Sequence, residues 1–265
     1  MNRLDGLFAE SRRTGRKALV VYVCAGDPDL ASTEALVPQL VEAGADVVEL
    51  GVPFSDPLAD GPTIQAAAQR ALQAGTTLSG VLGLVKRLRQ AGCTIPLVLF
   101  GYMNPIVRMG LQPFVTRAAE AGADGVLVAD LPLEESQPLG QLLAAAGLAL
   151  VLLAAPTTPP ARLHAIGQAT RGFLYFVSVT GVTGSRVELP ADLPAKLAEA
   201  RAASSAPVAV GFGVSTPEQA RALAAHADAV VVGSALVEAL HRGGADASQG
   251  LALVRSLAAA VHAAQ

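Results

Sequence analysis

The chain has 265 residues, 52% of them hydrophobic and 15% charged, with a formal net charge of −3. That composition supplies a large apolar core and excludes a disordered chain. Lysines and arginines are outnumbered by acids, 19 to 22, and form no long run, so no basic stripe is offered to a nucleic-acid backbone. The length suits one domain, residues 1–265, because α/β barrels run to about 250 residues.

Residues 1–17 (MNRLDGLFAESRRTGRK) are charged and helical in pattern, without the apolar run of a secretory signal. Eight short apolar runs then read as strands: 19–24, 46–50, 96–100, 125–129, 148–153, 173–177, 207–210 and 228–232. They are nearly continuous rather than alternating, the pattern of parallel strands covered on both faces. Helical periodicity fills the intervals at 31–43, 63–74, 78–91, 111–121, 135–146, 159–169, 191–203, 216–225 and 234–242, and a last helix covers 247–263. The longest apolar stretch, 142–156, falls short of the ~20 residues a membrane helix needs, and Gly147 splits it. Two cysteines, Cys24 and Cys93, make neither a disulfide framework nor a metal site, so the cytoplasm is the expected setting.

Three stretches share one grammar: AGADVVEL (43–50), AGADGVLVAD (121–130) and AHADAVVVG (225–233). In each a helix ends at a small residue, a tight turn follows, and an Asp leads into a strand. Eight βα units predict an α/β fold, a single (β/α)8 TIM barrel with an extra N-terminal helix and additional helices in the βα loops. An open doubly wound sheet is the alternative.

Barrel chemistry belongs at the C-terminal ends of the strands. GFGVST (211–216) and VGSALV (232–237) each end a strand and open a helix, with small residues where backbone amides could meet an anion. Gly184 in the strand-6 loop adds to that reading; the plainer one is that glycine serves tight turns. The three lysines, 17, 86 and 196, lie away from strand exits, so a Schiff base lacks its amine. The four histidines, 164, 226, 241 and 262, belong to helices, so no metal is expected. Cys24 reads as a small buried hydrophobe rather than a nucleophile.

Carboxylates remain at the exits: Asp27, Glu49, Asp56, Asp60 and Asp130. Glu49 stands inside an apolar strand, where burial should raise its pKa toward the range of proton transfer. The other reading pairs it with an arginine, for which Arg186 is the candidate. Asp60 lies in a loop and can stay ionised as a partner carboxylate; it could also cap the helix that Pro62 opens, and the two roles are compatible. Tyr22, Phe100, Leu127, Tyr175 and Phe212 gather at or near strand exits, as a slot for a flat ring or as ordinary core packing. TGVTGSR (180–186) reads as a lid. Together these features predict acid–base work on a phosphorylated, ring-bearing small molecule.

At these residues the chain resembles the tryptophan synthase alpha subunit family. The resemblance runs in order through LFAESRRTGRKALVVYVCAGDPD, AGADVVELGVPFSDPLADGPTIQ, GYMNP, GVLVADLPLEES, FVSVTGVTGSR, VAVGFGVSTPEQ and VVVGSALV, nearly the whole chain. It implies a lyase that cleaves indole-3-glycerol phosphate to indole and glyceraldehyde 3-phosphate in tryptophan biosynthesis. Glu49 would be the general acid/base and Asp60 the acceptor of the ring N–H. Thr183 would meet Asp60 when the lid closes. Gly184, Gly213, Gly233 and Ser234 would hold the phosphate, and Tyr22, Phe100, Leu127, Tyr175 and Phe212 would line the ring pocket.

The same resemblance implies an αββα tetramer in which a β subunit carrying pyridoxal phosphate receives indole through a channel, with no cofactor in this chain. Pro53, Phe54, Asp56, Pro57, Asn104, Pro105 and Pro132 would form the partner surface; otherwise the prolines only stiffen loops. Three residues depart from the family's usual pattern: Tyr22 where Phe is common, Phe100 where Leu is common, and Val21 where Pro is usual. A stand-alone lyase that releases free indole is the alternative. Other competing readings are a regulatory subunit and a phosphoribosyl isomerase barrel.

Overall fold

A computed structural model describes residues 2–177, 191–211 and 213–264. Eight parallel strands close in sequence order into a barrel: β1 (Ala18–Cys24), β2 (Val47–Gly51), β3 (Leu97–Gly101), β4 (Gly125–Val128), β5 (Ala149–Ala154), β6 (Leu174–Val177), β7 (Val208–Gly211) and β8 (Ala229–Val232). The helices are α1 (Arg3–Thr14), α2 (Leu30–Glu42), α3 (Pro62–Gln73), α4 (Leu78–Gln90), α5 (Met103–Met109), α6 (Leu111–Ala121), α7 (Gln137–Ala145), α8 (Pro160–Ala169), α9 (Leu193–Ala203), α10 (Pro217–Ala224), α11 (Ser234–Gly243) and α12 (Ser248–His262).

One element departs from the sequence reading. Residues 101–105 (GYMNP) are not a plain loop: Gly101 ends β3 and α5 begins at Met103. Pro105 sits in the first turn of α5, where a missing amide costs no hydrogen bond.

Strand side chains alternate between two cores. Val48, Leu50, Leu97 and Leu99 face outward into the layer shared with the helices. Val20, Val47, Val98, Leu127 and Tyr175 face the barrel interior, which Leu4 and Phe8 of α1 close from the N-terminal end. By the same parity Glu49 and Gly51, two and four residues after Val47, face inward as well.

The threefold repeat has a structural cause. Asp46, Asp124 and Asp228 each accept a hydrogen bond from a backbone amide of an adjacent earlier strand: Leu19 N at 2.8 Å, Leu97 N at 2.9 Å and Val208 N at 2.8 Å. Each carboxylate also meets an arginine, namely Arg16, Arg89 and Arg201 respectively. The Asp before a strand therefore ties that strand's start to its neighbour's.

Candidate active site

Strand register puts the key residues side by side. Tyr22 lies opposite Glu49, Glu49 opposite Val98, and Phe100 opposite Leu127. Tyr22 and Phe100 meet edge to face, with ring centroids 5.4 Å apart and planes at 82°. Isoleucine and alanine side chains of α3, with Cys24 and Val237, pack around this pair. Tyr175 and Leu127 line the interior just below, both buried.

The five exit carboxylates sort themselves by partner. Asp27 is held by both arms of Arg70 at 2.8 and 2.7 Å, which ties the strand-1 exit to α3. Asp130 accepts the Met103 amide at 2.8 Å and so stabilises the start of α5. Asp56 is exposed and takes the Ser55 hydroxyl at 2.5 Å. These three carry structural bonds, which leaves Glu49 and Asp60.

Glu49 is fully buried, and neither carboxyl oxygen has a hydrogen-bond partner among the described residues. No arginine of the described chain reaches it. Desolvation disfavours its charged form and pushes its pKa up to about 8. Asp60 is half-buried; burial pushes its carboxyl up to about 6, against the lowering effect of hydrogen bonding from the Tyr102 hydroxyl. The two acids are therefore separated, with Asp60 the first to ionise. Both act electrostatically on the buried hydroxyls of Tyr22 and Tyr175, so all four groups lie near one another.

Asp60 does not cap α3. Gly61 is the N-cap residue and supplies no side-chain bond, while Pro62 opens the helix and the Asp60 carbonyl accepts from Gln65 at 2.8 Å. The carboxyl of Asp60 is thus free of a capping duty. Cys24 is buried and its thiol is pushed up to about 12 by desolvation, the state of a packing residue rather than a nucleophile.

Two residues were missed in the sequence. Tyr102 bridges Asp60 and the loop, since its hydroxyl accepts the Ala59 amide at 3.1 Å and its ring lies 5.3 Å from that of Phe54. Gly51 leaves room for Tyr22: a Cβ there would stand 2.0 Å from the Tyr22 hydroxyl oxygen. A tyrosine at a strand exit and a glycine at an inward strand position were the available signals.

The two glycine turns differ at their helices. Thr216 and Gln219 form a capping box that occupies the start of α10. Gly233 precedes α11 with no side-chain cap, so the first amides of that helix, beginning at Ser234, lack side-chain acceptors. Gly213 adopts a left-handed φ of 80°, a conformation that favours glycine. Thr183, Gly184, Phe212 and the expected lid over 178–190 lie outside the described residues.

On the loop after β2, Pro53 is buried, Phe54 is half-buried against Tyr102 and Pro57 is half-buried. Phe54 therefore leans on Tyr102 at a ring tilt of 33° and is only partly open to a partner. The exposed apolar residue of this loop is Leu58, at 94%. Asn104 and Pro132 are exposed and Pro105 half-buried on neighbouring loops or helix starts. Among the described residues no cluster of His, Cys, Asp and Glu could hold a metal ion, and no helix is long and apolar enough to cross a membrane.

The family model described as tryptophan synthase alpha chain matches residues 8–265. The tryptophan synthase alpha chain of Geobacter sulfurreducens is 52% identical over 242 residues, 91% of each chain. That of Phenylobacterium zucineum is 51% identical over 267 residues, covering 99% of this chain and 96% of the other. The crystal structure of tryptophan synthase subunit alpha from Legionella pneumophila superposes with a TM-score of 0.91 at 39% identity, covering 98% of both chains. A tryptophan synthase structure from Mycobacterium tuberculosis gives 0.90 at 38% identity, again over 98% of both chains. With its buried acid, its barrel and its full-length likeness to these proteins, the chain belongs to the tryptophan synthase alpha chain family.

Proposed function

We propose that Glu49 and Asp60 divide the work of the family's lyase reaction, the retro-aldol cleavage of indole-3-glycerol phosphate to indole and glyceraldehyde 3-phosphate. The observation that carries this reading is the unpartnered, fully buried Glu49 carboxyl, held protonated up to about pH 8 at the mouth of the barrel. A neutral carboxylic acid there can give a proton to indole C3. Positive charge then appears at the ring N–H, and the Asp60 carboxylate stabilises it. The Glu49 carboxylate formed in that step takes the proton of the glycerol hydroxyl next to the ring. The bond between C3 and the side chain breaks, its electron pair restores the indole ring, and Glu49 ends protonated as it began.

Tyr22, Phe100, Leu127, Tyr175 and Phe212 form the slot for the ring. The uncapped start of α11 at Gly233 and Ser234, with Gly213 and Gly184, holds the phosphate; amides at a helix start favour an anion. By the family resemblance, Thr183 is the residue assigned to meet Asp60. Indole passes to a β subunit that carries pyridoxal phosphate, and this chain needs no cofactor of its own. Pro53, Phe54, Asp56, Pro57, Asn104, Pro105 and Pro132 lie on the face that meets β in a cytoplasmic αββα tetramer.

Indole formation from indole-3-glycerol phosphate tests the assignment. Glu49→Gln is expected to lose at least ~10²-fold in turnover, the scale of one acid–base group, with substrate binding kept. Asp60→Asn is expected to be slowed as well. Normal turnover in Glu49→Gln would remove the central role given to that residue.

A further inference from the structure

A cavity lies at the end of the barrel opposite the candidate active site. Its volume is about 300 Å³, at the small end of the range for ligand clefts. Lys17, Pro207 and Asp228 on its wall immediately precede β1, β7 and β8, so it opens on the N-terminal face. The candidate active site lies across the barrel, roughly 20 Å away along a strand of this length.

The lining is strongly one-signed. Arg12, Arg16, Lys17 and Arg201 face a single acid, Asp228, in a chain whose net charge is −3. Arg16 and Arg201 are already paired, with Asp46 at 2.7 Å and Asp228 at 3.3 Å. The side chains of Arg12 and Lys17 have no hydrogen bond or ion pair with any described residue. Two uncompensated cations therefore border the cavity, and Lys17 is half-buried. Arg12 belongs to the last turn of α1, where a cation complements the helix dipole on its own account. Lys17 lies outside any helix, so that explanation does not reach it. Its stem is partly covered while its ammonium stays accessible, so the free cation is presented to an anion entering the cavity.

Phe8, Ala206 and Pro207 add apolar surface beside the cations. We propose that this cavity binds a small organophosphate, with the phosphate dianion between Arg12 and Lys17 and the organic body against the Phe8 and Pro207 side. Such a ligand would bridge α1, which closes the barrel floor, to the segment joining α9 and β7.

Calorimetric titration of the full chain with AMP, with adenosine as the uncharged control, tests the site. AMP is expected to bind saturably and adenosine not to bind. The Arg12→Ala/Lys17→Ala double variant is expected to weaken AMP binding at least ~10-fold, the scale of losing a charge-assisted contact. Its turnover of indole-3-glycerol phosphate should match the wild type, which also reports that it is folded. Lys17→Arg should retain AMP binding, separating charge from packing. Absence of AMP binding, or binding that survives the double substitution, would overturn the proposal. So would AMP acting as a competitive inhibitor of indole formation with an inhibition constant equal to its calorimetric Kd, because the nucleotide would then occupy the active site.

Discussion

Tyr22 and Gly51 stand on adjacent strands so closely that a Cβ on Gly51 would come within 2.0 Å of the Tyr22 hydroxyl oxygen. The aromatic wall of the proposed ring slot therefore depends on a missing side chain on the next strand. Gly51→Ala should push Tyr22 off its place against Phe100 and cost about 1–3 kcal/mol of stability, the range for overpacking a filled core. Urea denaturation checks the stability, and KM for indole-3-glycerol phosphate should rise. The ring carbons Cζ and Cε2 of Tyr22 would stand 2.4 and 2.8 Å from that Cβ as well, so Tyr22→Leu in the same chain, which removes the ring, should recover part of the stability loss. No recovery would mean that the Tyr22 side chain is not what excludes a side chain at 51.

The acids also predict a pH profile. Catalysis as proposed starts with Glu49 protonated and Asp60 ionised. Their pKa values of about 8 and about 6 bound the window in which both conditions hold. The kcat/KM profile should be bell-shaped with limbs near those values. Hydrogen bonding from Tyr102 lowers the Asp60 pKa, so Tyr102→Phe should move the acid limb upward and leave the alkaline limb in place. A flat profile from pH 5 to 9 would contradict the assignment of both acids.

Burial of Glu49 is also a statement about folding. Its pKa rises from 4.5 when solvated to about 8 in the folded chain, so the native state holds its proton more tightly than the unfolded state. Its contribution is complete below pH 4.5 and is lost as pH rises toward about 8. The total is on the order of a few kcal/mol. Glu49→Gln, which stays neutral, should flatten this part of the stability curve. The variant should then be more stable than wild type at pH 9 and similar to it at pH 5. Denaturant unfolding at the two pH values gives the answer without reference to activity.

What the sequence made legible follows from local causes. Apolar β-branched runs marked all eight strands to within one residue at their starts, and the AGAD turns at Gly44 and Gly122 adopt the left-handed φ that glycine permits. Glu49 was visible because an acid inside an apolar strand is costly by itself. Tyr102 was not visible as a partner of Asp60, because that contact joins residues 42 positions apart through the loop fold. The partial cover of Phe54 was hidden for the same reason: its contact with Tyr102 spans the loop fold, while Leu58 nearby stays exposed.

Leu58 yields the last prediction. It is 94% exposed on the loop that carries Asp60, while its neighbours Phe54 and Pro53 are wholly or partly covered. A large side chain left in water on a loop stiffened by Pro53 and Pro57 contributes little to folding of the chain alone. Apolar residues of this kind gain most when a partner covers them. Leu58→Ser should therefore leave the thermal midpoint of the isolated chain and its unassisted indole formation unchanged. It should weaken association with the β subunit and reduce any stimulation of indole formation by β. Tyr102→Phe should behave differently, because it alters Asp60 directly and so changes the reaction with or without β. Titration of each variant with the β subunit, read by calorimetry and by indole formation, separates the two. Undiminished β affinity in Leu58→Ser would place the partner surface elsewhere on this face.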